Sequence, residues 1–235
     1  IELLERFLPL AEDKAEVFYS LGNLFRAKGD NKQASHYFKE AVKLRINHED
    51  ALFQLAMITE EEGSFDEILH FYQEFIDQDP YSAGAWYNLG VVYNRLGRFE
   101  EAIKAYDYAL LIDESFASAY FNLGNALMNT EQFEQAREAY QNTINCEGAN
   151  AENCCYLGAA YEKLGQIDEA FKYFKKSAKL DEEYDDAWFG LGMCMLKKEK
   201  FFEAIHYFKK ALNLSKENPN YWVGLADAEF NLGNL

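Results

Sequence analysis

The chain has 235 residues, of which 49% are hydrophobic and 16% aromatic, so it can bury a sizeable apolar core and is not disordered. Its formal net charge of −17 argues against nucleic-acid and anionic-membrane partners, because Lys and Arg must neutralise the phosphates of both. No apolar run reaches the roughly 18 residues of a membrane span, so the sequence predicts a soluble domain with no membrane partner.

The first residues, "IELLERFLPL", lack the basic start and the small-residue end of a secretory signal. The chain begins with Ile1 rather than Met, so a targeting segment or further domains could precede it. The four cysteines form no C-x-x-C pair and lack histidines at zinc spacing, which favours reduced, buried thiols. Reduced thiols predict a cytoplasmic location.

One amphipathic segment, "AWYNLGVVYNRLG" at residues 85–97, recurs in altered form at residues 119–131 and 187–199. A small residue preceded by leucine returns every 34 residues, at Gly22, Ala56, Gly90, Gly124, Gly158, Gly192 and Ala226. Sixteen positions after each of the first six lies an aromatic residue: Phe38, Tyr72, Tyr106, Tyr140, Phe174 and Phe208. The small residues predict close approach of two helices, with the rings filling the gap to the next unit.

These residues resemble the tetratricopeptide repeat (TPR), whose pattern is W-x2-L-G-x2-Y, then A-x3-F, then P. The resemblance implies an all-α fold, a right-handed α-α superhelical solenoid of helix-turn-helix repeats with a concave and a convex wall. We expect one domain over residues 1–235, with six repeats at 15–48, 49–82, 83–116, 117–150, 151–184 and 185–218 and partial units at 1–14 and 219–235.

Two repeats depart from the pattern. In repeat two, Thr59 replaces a tyrosine, and Ile68 and Phe75 replace alanines, which indicates either a compensated exchange of volumes or a locally widened helix pair. In repeat four, Glu131 stands at the end of the first helix and Thr143 at a small-residue position, so we expect looser packing there.

A catalytic motif is missing from the sequence: there is no phosphate-binding loop, no HExxH, no GxSxG and no nucleophile with a plausible base. His36, His70 and His206 share one position that other repeats fill with Lys or Glu, which is typical of a solvated face. We therefore expect no enzyme activity, no catalytic residue, no metal site and no cofactor, and assign any catalysis to a further domain.

The resemblance implies that the first helix of each repeat lines the concave face and binds partners there. The predicted lining residues are Tyr19, Asn23, Asp50, Phe53, Met57, Glu60, Glu61, Tyr87, Asn88, Phe121, Asn122, Asn125 and Phe189, with Cys155 in the same row. Rings and amides at this spacing could hold an extended peptide or a helix, or the rings could pack on neighbouring helices. The Lys and Arg positions with which some TPR proteins grip a terminal carboxylate are not basic here.

Negative charge is concentrated in repeat two, where residues 49–82 contain ten acidic residues and no Lys or Arg. Asp50, Glu60 and Glu61 fall on or near the predicted lining face, which favours a basic partner with an apolar anchor. An acidic face that is merely solvated explains the same pattern.

The sequence thus predicts a protein–protein interaction scaffold that binds a peptide or partner domain in its groove. Two alternatives remain open. The chain could be the substrate-recognition or regulatory arm of a larger protein or enzyme. It could instead self-associate through the helix at 219–235, where Trp222, Leu225 and Phe230 lack a second helix to pack on.

Overall fold

The structure is a computed structural model that describes residues 1–46, 48–62 and 65–233, apart from a few side chains within the helices. These residues form helices and turns without a β-strand. The helices are α1 (Glu2–Phe7), α2 (Lys14–Ala27), α3 (Asn31–Leu44), α4 (Glu49–Glu62), α5 (Phe65–Gln78), α6 (Ala83–Arg95), α7 (Phe99–Ile112), α8 (Ala117–Asn129), α9 (Phe133–Glu147), α10 (Ala151–Lys163), α11 (Ile167–Leu180), α12 (Asp185–Lys197), α13 (Phe201–Leu214) and α14 (Pro219–Leu232). A single 3-10 turn, Leu8–Leu10, follows α1.

Most first helices end in a residue with a left-handed backbone. Gly97, two residues after the end of α6, has φ of 69°, and Gly29 and Gly165 lie at the same place in their repeats. Repeats four and six have Glu131 and Glu199 there instead, at φ of 59° and 58°. Left-handed geometry costs a residue with a Cβ roughly 1–2 kcal/mol, so these two turns carry backbone strain.

The recurring small residue lets an aromatic ring from the second helix lie on the backbone of the first. A Cβ added to Gly90 would be 2.6 Å from the Tyr106 ring, and one added to Gly124 would be 2.5 Å from the Tyr140 ring. Both rings are fully buried. The close approach that the sequence predicts is therefore present.

The chain forms two compact units, Ile1–Glu114 and Ser115–Leu235, which we call unit one and unit two. The buried core of unit one includes Phe38, Leu55, Tyr72 and Leu89. The buried core of unit two includes Phe174, Leu191, Phe208 and Tyr221. The single domain over residues 1–235 stays a prediction.

Repeat two accommodates its unusual residues inside the core. Thr59 is buried and its Oγ1 donates a hydrogen bond to the carbonyl of Leu55 at 2.7 Å. Ile68 is also buried, and a cavity of about 40 Å³ remains beside Thr59, Ile68 and Tyr72. The buried side chains favour a compensated exchange that leaves a small void.

Helix α14 packs its inner face on unit two and exposes its outer face. Trp222 and Phe230 are 54% and 63% exposed. Leu225 is only 8% exposed, so the expectation that it lacks packing partners is wrong: it faces the core and not solvent. Among the described residues, none of the helices has both the length and the apolar character needed to cross a bilayer.

Candidate functional site

The first-helix rings of unit one are half-buried, each against the core ring of its own repeat. The Tyr19 ring lies 5.8 Å from the Phe38 ring and 4.9 Å from the ring of His48. The Tyr87 ring lies 6.0 Å from the Tyr106 ring. These rings therefore both pack on the core and keep part of their surface in solvent.

The side chains of Phe53 and Glu60, which belong to the same predicted row and its acidic neighbourhood, lie outside the described residues.

Unit two repeats this arrangement in α8 and α12. The Phe121 ring lies 5.9 Å from the Tyr140 ring, and the Phe189 ring lies 5.7 Å from the Phe208 ring. Both are half-buried. Cys155 of α10, at the corresponding position of repeat five, is only 7% exposed and contributes no ring. We call the half-buried rings Tyr19, Tyr87, Phe121 and Phe189 the first-helix rings.

The predicted amide donors are engaged within the protein to different degrees. Asn88 is buried, and its Nδ2 donates to the carbonyl of Ile46 at 3.2 Å, so this amide ties α6 to the turn after α3 and is not displayed to a partner. The Oδ1 of Asn125 accepts a hydrogen bond from the Tyr140 hydroxyl at 2.8 Å. Asn125 therefore holds the core ring on which Phe121 rests.

Three further predicted lining residues are half-buried: Asn23, Met57 and Asn122.

The acidic surface of repeat two is partly neutralised by repeat one. Glu61 Oε1 lies 3.1 Å from Nη2 of Arg26, and its Oε2 accepts from Nδ2 of Asn31 at 3.4 Å. Arg26 also donates to the side chain of Gln54. Asp50 is exposed. The charge available to a partner at Glu61 is smaller than the residue count of this repeat implies, because Arg26 competes for the carboxylate.

The histidines of the shared position lie on the surface. His70 is exposed, with Nε2 3.2 Å from Oε1 of Glu74 one turn along its own helix. His36 and His206 are also exposed, each beside a tyrosine ring. Within the described part of the chain, no three His, Cys, Asp or Glu side chains come together as metal ligands.

A cavity of about 410 Å³ opens between α10 and α12 of unit two. Its apolar lining includes Cys155, Ala159, Phe174, Tyr184, Phe189 and Met193. We call it the Cys155 cavity. Its volume lies in the range of about 300–1,000 Å³ that is typical of ligand sites. Sequence reasoning missed it, although a cysteine among five aromatic residues at the same repeat position was a signal.

The charges at the Cys155 cavity are unevenly compensated. Glu162 is mostly buried and forms an ion pair with Lys197, and Lys163 lies at the same end of α10. Asp186 is exposed and accepts a hydrogen bond from the Tyr221 hydroxyl at 2.7 Å. Burial, and then the nearby Asp186 carboxylate, raise the pKa of the Cys155 thiol, so it stays protonated at neutral pH.

Helix pairs at a fixed interval, each closed by a ring against a small residue, define a tetratricopeptide-repeat protein. The fold class predicted from the sequence is confirmed. Such arrays support protein–protein interaction and are typically non-enzymatic scaffolds. The chain belongs to the family of the cilia and flagella-associated protein 70 C-terminal domain, whose family model matches residues 8–218.

Solved structures of other TPR proteins share this fold. A tetratricopeptide repeat protein from Parabacteroides merdae superposes with a TM-score of 0.69 at 16% identity, over 94% of this chain and 87% of that one. The APC/C hetero-tetramer Cut9-Hcn1 gives a TM-score of 0.65 at 19% identity, over 98% of this chain and 46% of that one. YrrB, described as a TPR protein with an unusual peptide-binding site, gives 0.58 at 23% identity, over 69% and 84%. Curated protein sequences give no significant match.

Proposed function

We propose that this chain is a non-catalytic scaffold that binds a peptide or partner domain along its first helices. The observation that carries the proposal is the state of the first-helix rings. Each has one side on a core ring 5.7–6.0 Å away and part of its surface in solvent. A ring held in this way offers contact area at a low entropic cost, because its rotamer is already fixed by packing.

The partner that fits best carries basic and apolar residues. The chain is strongly acidic overall, and in α4 the exposed Asp50 lies about two turns before the half-buried Met57. A protein that pairs Lys or Arg with apolar side chains complements both features. The same charge disfavours nucleic acid and anionic membranes as partners. Arg26 limits the contribution of Glu61, so binding through repeat two depends on Asp50 and the other carboxylates.

Affinity capture with matched variants tests this proposal. One bait carries Tyr87→Leu, Phe121→Leu and Phe189→Leu, which keeps most of the buried volume but removes the rings. The control bait carries Tyr81→Leu and Phe202→Leu, which removes two rings that are 82% and 73% exposed elsewhere. We expect proteins bound by the wild type to be lost from the first bait alone. Equal capture by both baits, with unchanged thermal melting, would refute binding at the first-helix rings.

The family description favours the alternative that this chain is one arm of a larger protein. It names a C-terminal domain of a cilia and flagella-associated protein, so this chain would act as one interaction arm of such a protein and would hold its partner in that organelle. Fluorescent tagging of the full-length protein tests this. Enrichment in cilia or flagella supports the proposal, and a uniform cytoplasmic signal in ciliated cells contradicts it.

Self-association through α14 has its own supporting observation. Trp222, Val223 and Phe230 are all more than half exposed along one helix, and an apolar surface of this kind is typical of an interface. Sedimentation equilibrium of the wild type and of a variant with Trp222→Ser and Phe230→Ser measures this self-association. A dimer that these changes dissociate supports the proposal, and a wild-type monomer at high concentration refutes it.

A further inference from the structure

The Cys155 cavity exists because repeat five lacks a ring that its neighbours have. In repeats three, four and six, the position of Cys155 is held by Tyr87, Phe121 and Phe189, each packed on its own second-helix ring. The second-helix ring of repeat five is Phe174. Because Cys155 is small, α10 has no ring at this position to pack on Phe174.

The ring of Phe174 packs closer to the backbone of α12 than to that of α10. A Cβ on Gly190 of α12 would be 2.4 Å from Phe174, whereas one on Gly158 of α10 would be 3.0 Å away. In repeats four and six, a Cβ added to the glycine that corresponds to Gly158 would be only 2.5 Å from the second-helix ring of that repeat. Phe174 therefore stands farther from the backbone of α10, the helix that carries Cys155, than the rings of repeats four and six stand from their first helices.

The residue after Cys155 does not fill that space. Tyr156 directs its ring towards repeat four, where it lies 4.9 Å from the Phe121 ring and 5.6 Å from the Tyr140 ring. Gly190 has no side chain at the position where repeat four has Asn122. The cavity of about 410 Å³ is what these three features leave open, with Phe174 and Phe189 among its walls.

One edge of the cavity is negative. Asp186 lines it, and in the described part of the chain no Lys or Arg forms an ion pair with this carboxylate; its hydrogen bond comes from the neutral Tyr221 hydroxyl. Asp185 precedes it in α12 and Glu152 lies in the first turn of α10. Glu162 adds little charge, since Lys197 neutralises it. Lys163 lies at the other end of α10, away from these first-turn acids.

We propose that the Cys155 cavity binds an aromatic side chain of a partner protein, with a Lys or Arg next to it in the partner's sequence. The aromatic ring would take the place that Tyr87, Phe121 and Phe189 fill in other repeats, and the basic residue would pair with Asp186. Buried aromatic anchors in pockets commonly dominate the affinity of protein interfaces. This inference rests on the proposed scaffold function and specifies the chemistry of its partner.

A short synthetic peptide series tests the anchor directly. The probe is acetyl-Ser-Gly-Lys-X-Lys-Gly-Ser-amide, with X as Phe or Ala, titrated into the 235-residue protein by NMR. We expect the Phe peptide to bind at least about ten-fold more tightly than the Ala peptide, because the cavity buries the Phe ring and has no comparable contact with the Ala methyl group. A Phe peptide with Glu in place of both Lys residues should bind several-fold more weakly.

Two protein variants locate the binding. Cys155→Phe restores the missing ring and fills the cavity, so it should keep or raise the melting temperature and remove the preference for the Phe peptide. Ala159→Leu narrows the same cavity from a half-buried position and should act in the same direction, which covers a failure of Cys155→Phe to fold. Cys146→Ser changes an exposed cysteine outside the cavity and should leave the preference intact.

The outcomes separate the anchor from the scaffold function. Equal affinity for the Phe and Ala peptides, no binding of either, or a preference that survives both cavity variants would overturn the anchor. The scaffold proposal would still stand if a bait with Tyr87→Leu and Phe121→Leu, two first-helix rings that do not line the cavity, loses a captured partner. Conversely, NMR shifts caused by acetyl-phenylalaninamide at the cavity residues, with no partner lost from that bait, would support the anchor and contradict binding along the first-helix rings.

Discussion

The contact between Gly124 and Tyr140 makes a sharp prediction about stability. In Gly124→Ala, the new Cβ would lie 2.5 Å from a ring that is fully buried and whose hydroxyl donates to Asn125. The ring cannot move without losing this hydrogen bond. Overpacking of this kind costs about 1–3 kcal/mol, against a gain of about 1 kcal/mol from the higher helix propensity of alanine. We expect a net loss of about 1 kcal/mol.

Gly158→Ala is the matched control, because it makes the same change at the same position of the next repeat. Its Cβ would be 3.0 Å from Phe174, which has no hydroxyl to hold it and has the Cys155 cavity beside it. Here the gain in helix propensity should offset the smaller overlap. The two variants should therefore differ by about 1 kcal/mol, or roughly 2–4 °C in melting temperature for a chain of this size.

Thermal and urea unfolding followed by circular dichroism measure this difference, with both variants compared in the same buffer. The reasoning would be refuted if Gly124→Ala were as stable as Gly158→Ala, because the distances would then have no energetic consequence. A repeat array can unfold in stages, so the first transition is the one to compare.

Three further predictions concern the left-handed turns, the Tyr221 hydroxyl and the cysteines. Glu131→Gly and Glu199→Gly should each raise the free energy of unfolding by about 0.5–1 kcal/mol in urea titrations, because glycine relieves the left-handed strain at these turns; destabilisation would contradict this. Tyr221→Phe removes the hydroxyl that donates to Asp186 and should cost about 1 kcal/mol in the same assay; no loss would show that the hydrogen bond is without net effect. In thiol-labelling kinetics, Cys146 should react quickly, and the fully buried Cys154 and Cys194 should react only on unfolding. Burial raises the pKa of these two thiols, so their labelling should stay slow even at pH 9; fast labelling of either would contradict this.

Much of the fold follows from the sequence, because in each complete repeat the small residue is followed sixteen positions later by an aromatic ring. Gly90 with Tyr106 and Gly124 with Tyr140 show how: a helix backbone approaches closely only where no Cβ intervenes, so the pattern predicts both the helices and their contact. Phe121 is half-buried, and its place on a partner-binding face stays a prediction.

The chemistry of the candidate site follows less directly. The register put Asn88 on the first helix but could not show that its amide reaches the carbonyl of Ile46 in another repeat. The residue count of repeat two likewise included the full charge of Glu61 and could not show that the Arg26 side chain neutralises part of it. These contacts join repeats whose side chains differ, and a spacing rule that treats repeats as equivalent does not describe them.

The central claim, that the first helices hold a partner protein, is tested most directly by site-specific photocrosslinking. Benzoylphenylalanine would replace Phe121 in one protein and Phe202, which is 73% exposed on α13, in another. Each would be irradiated in lysate of the source cells, and the crosslinked peptides would be identified by mass spectrometry. The account predicts one defined partner segment joined to position 121 and none to position 202. Crosslinks to position 202 alone, or the same proteins at both positions, would contradict it.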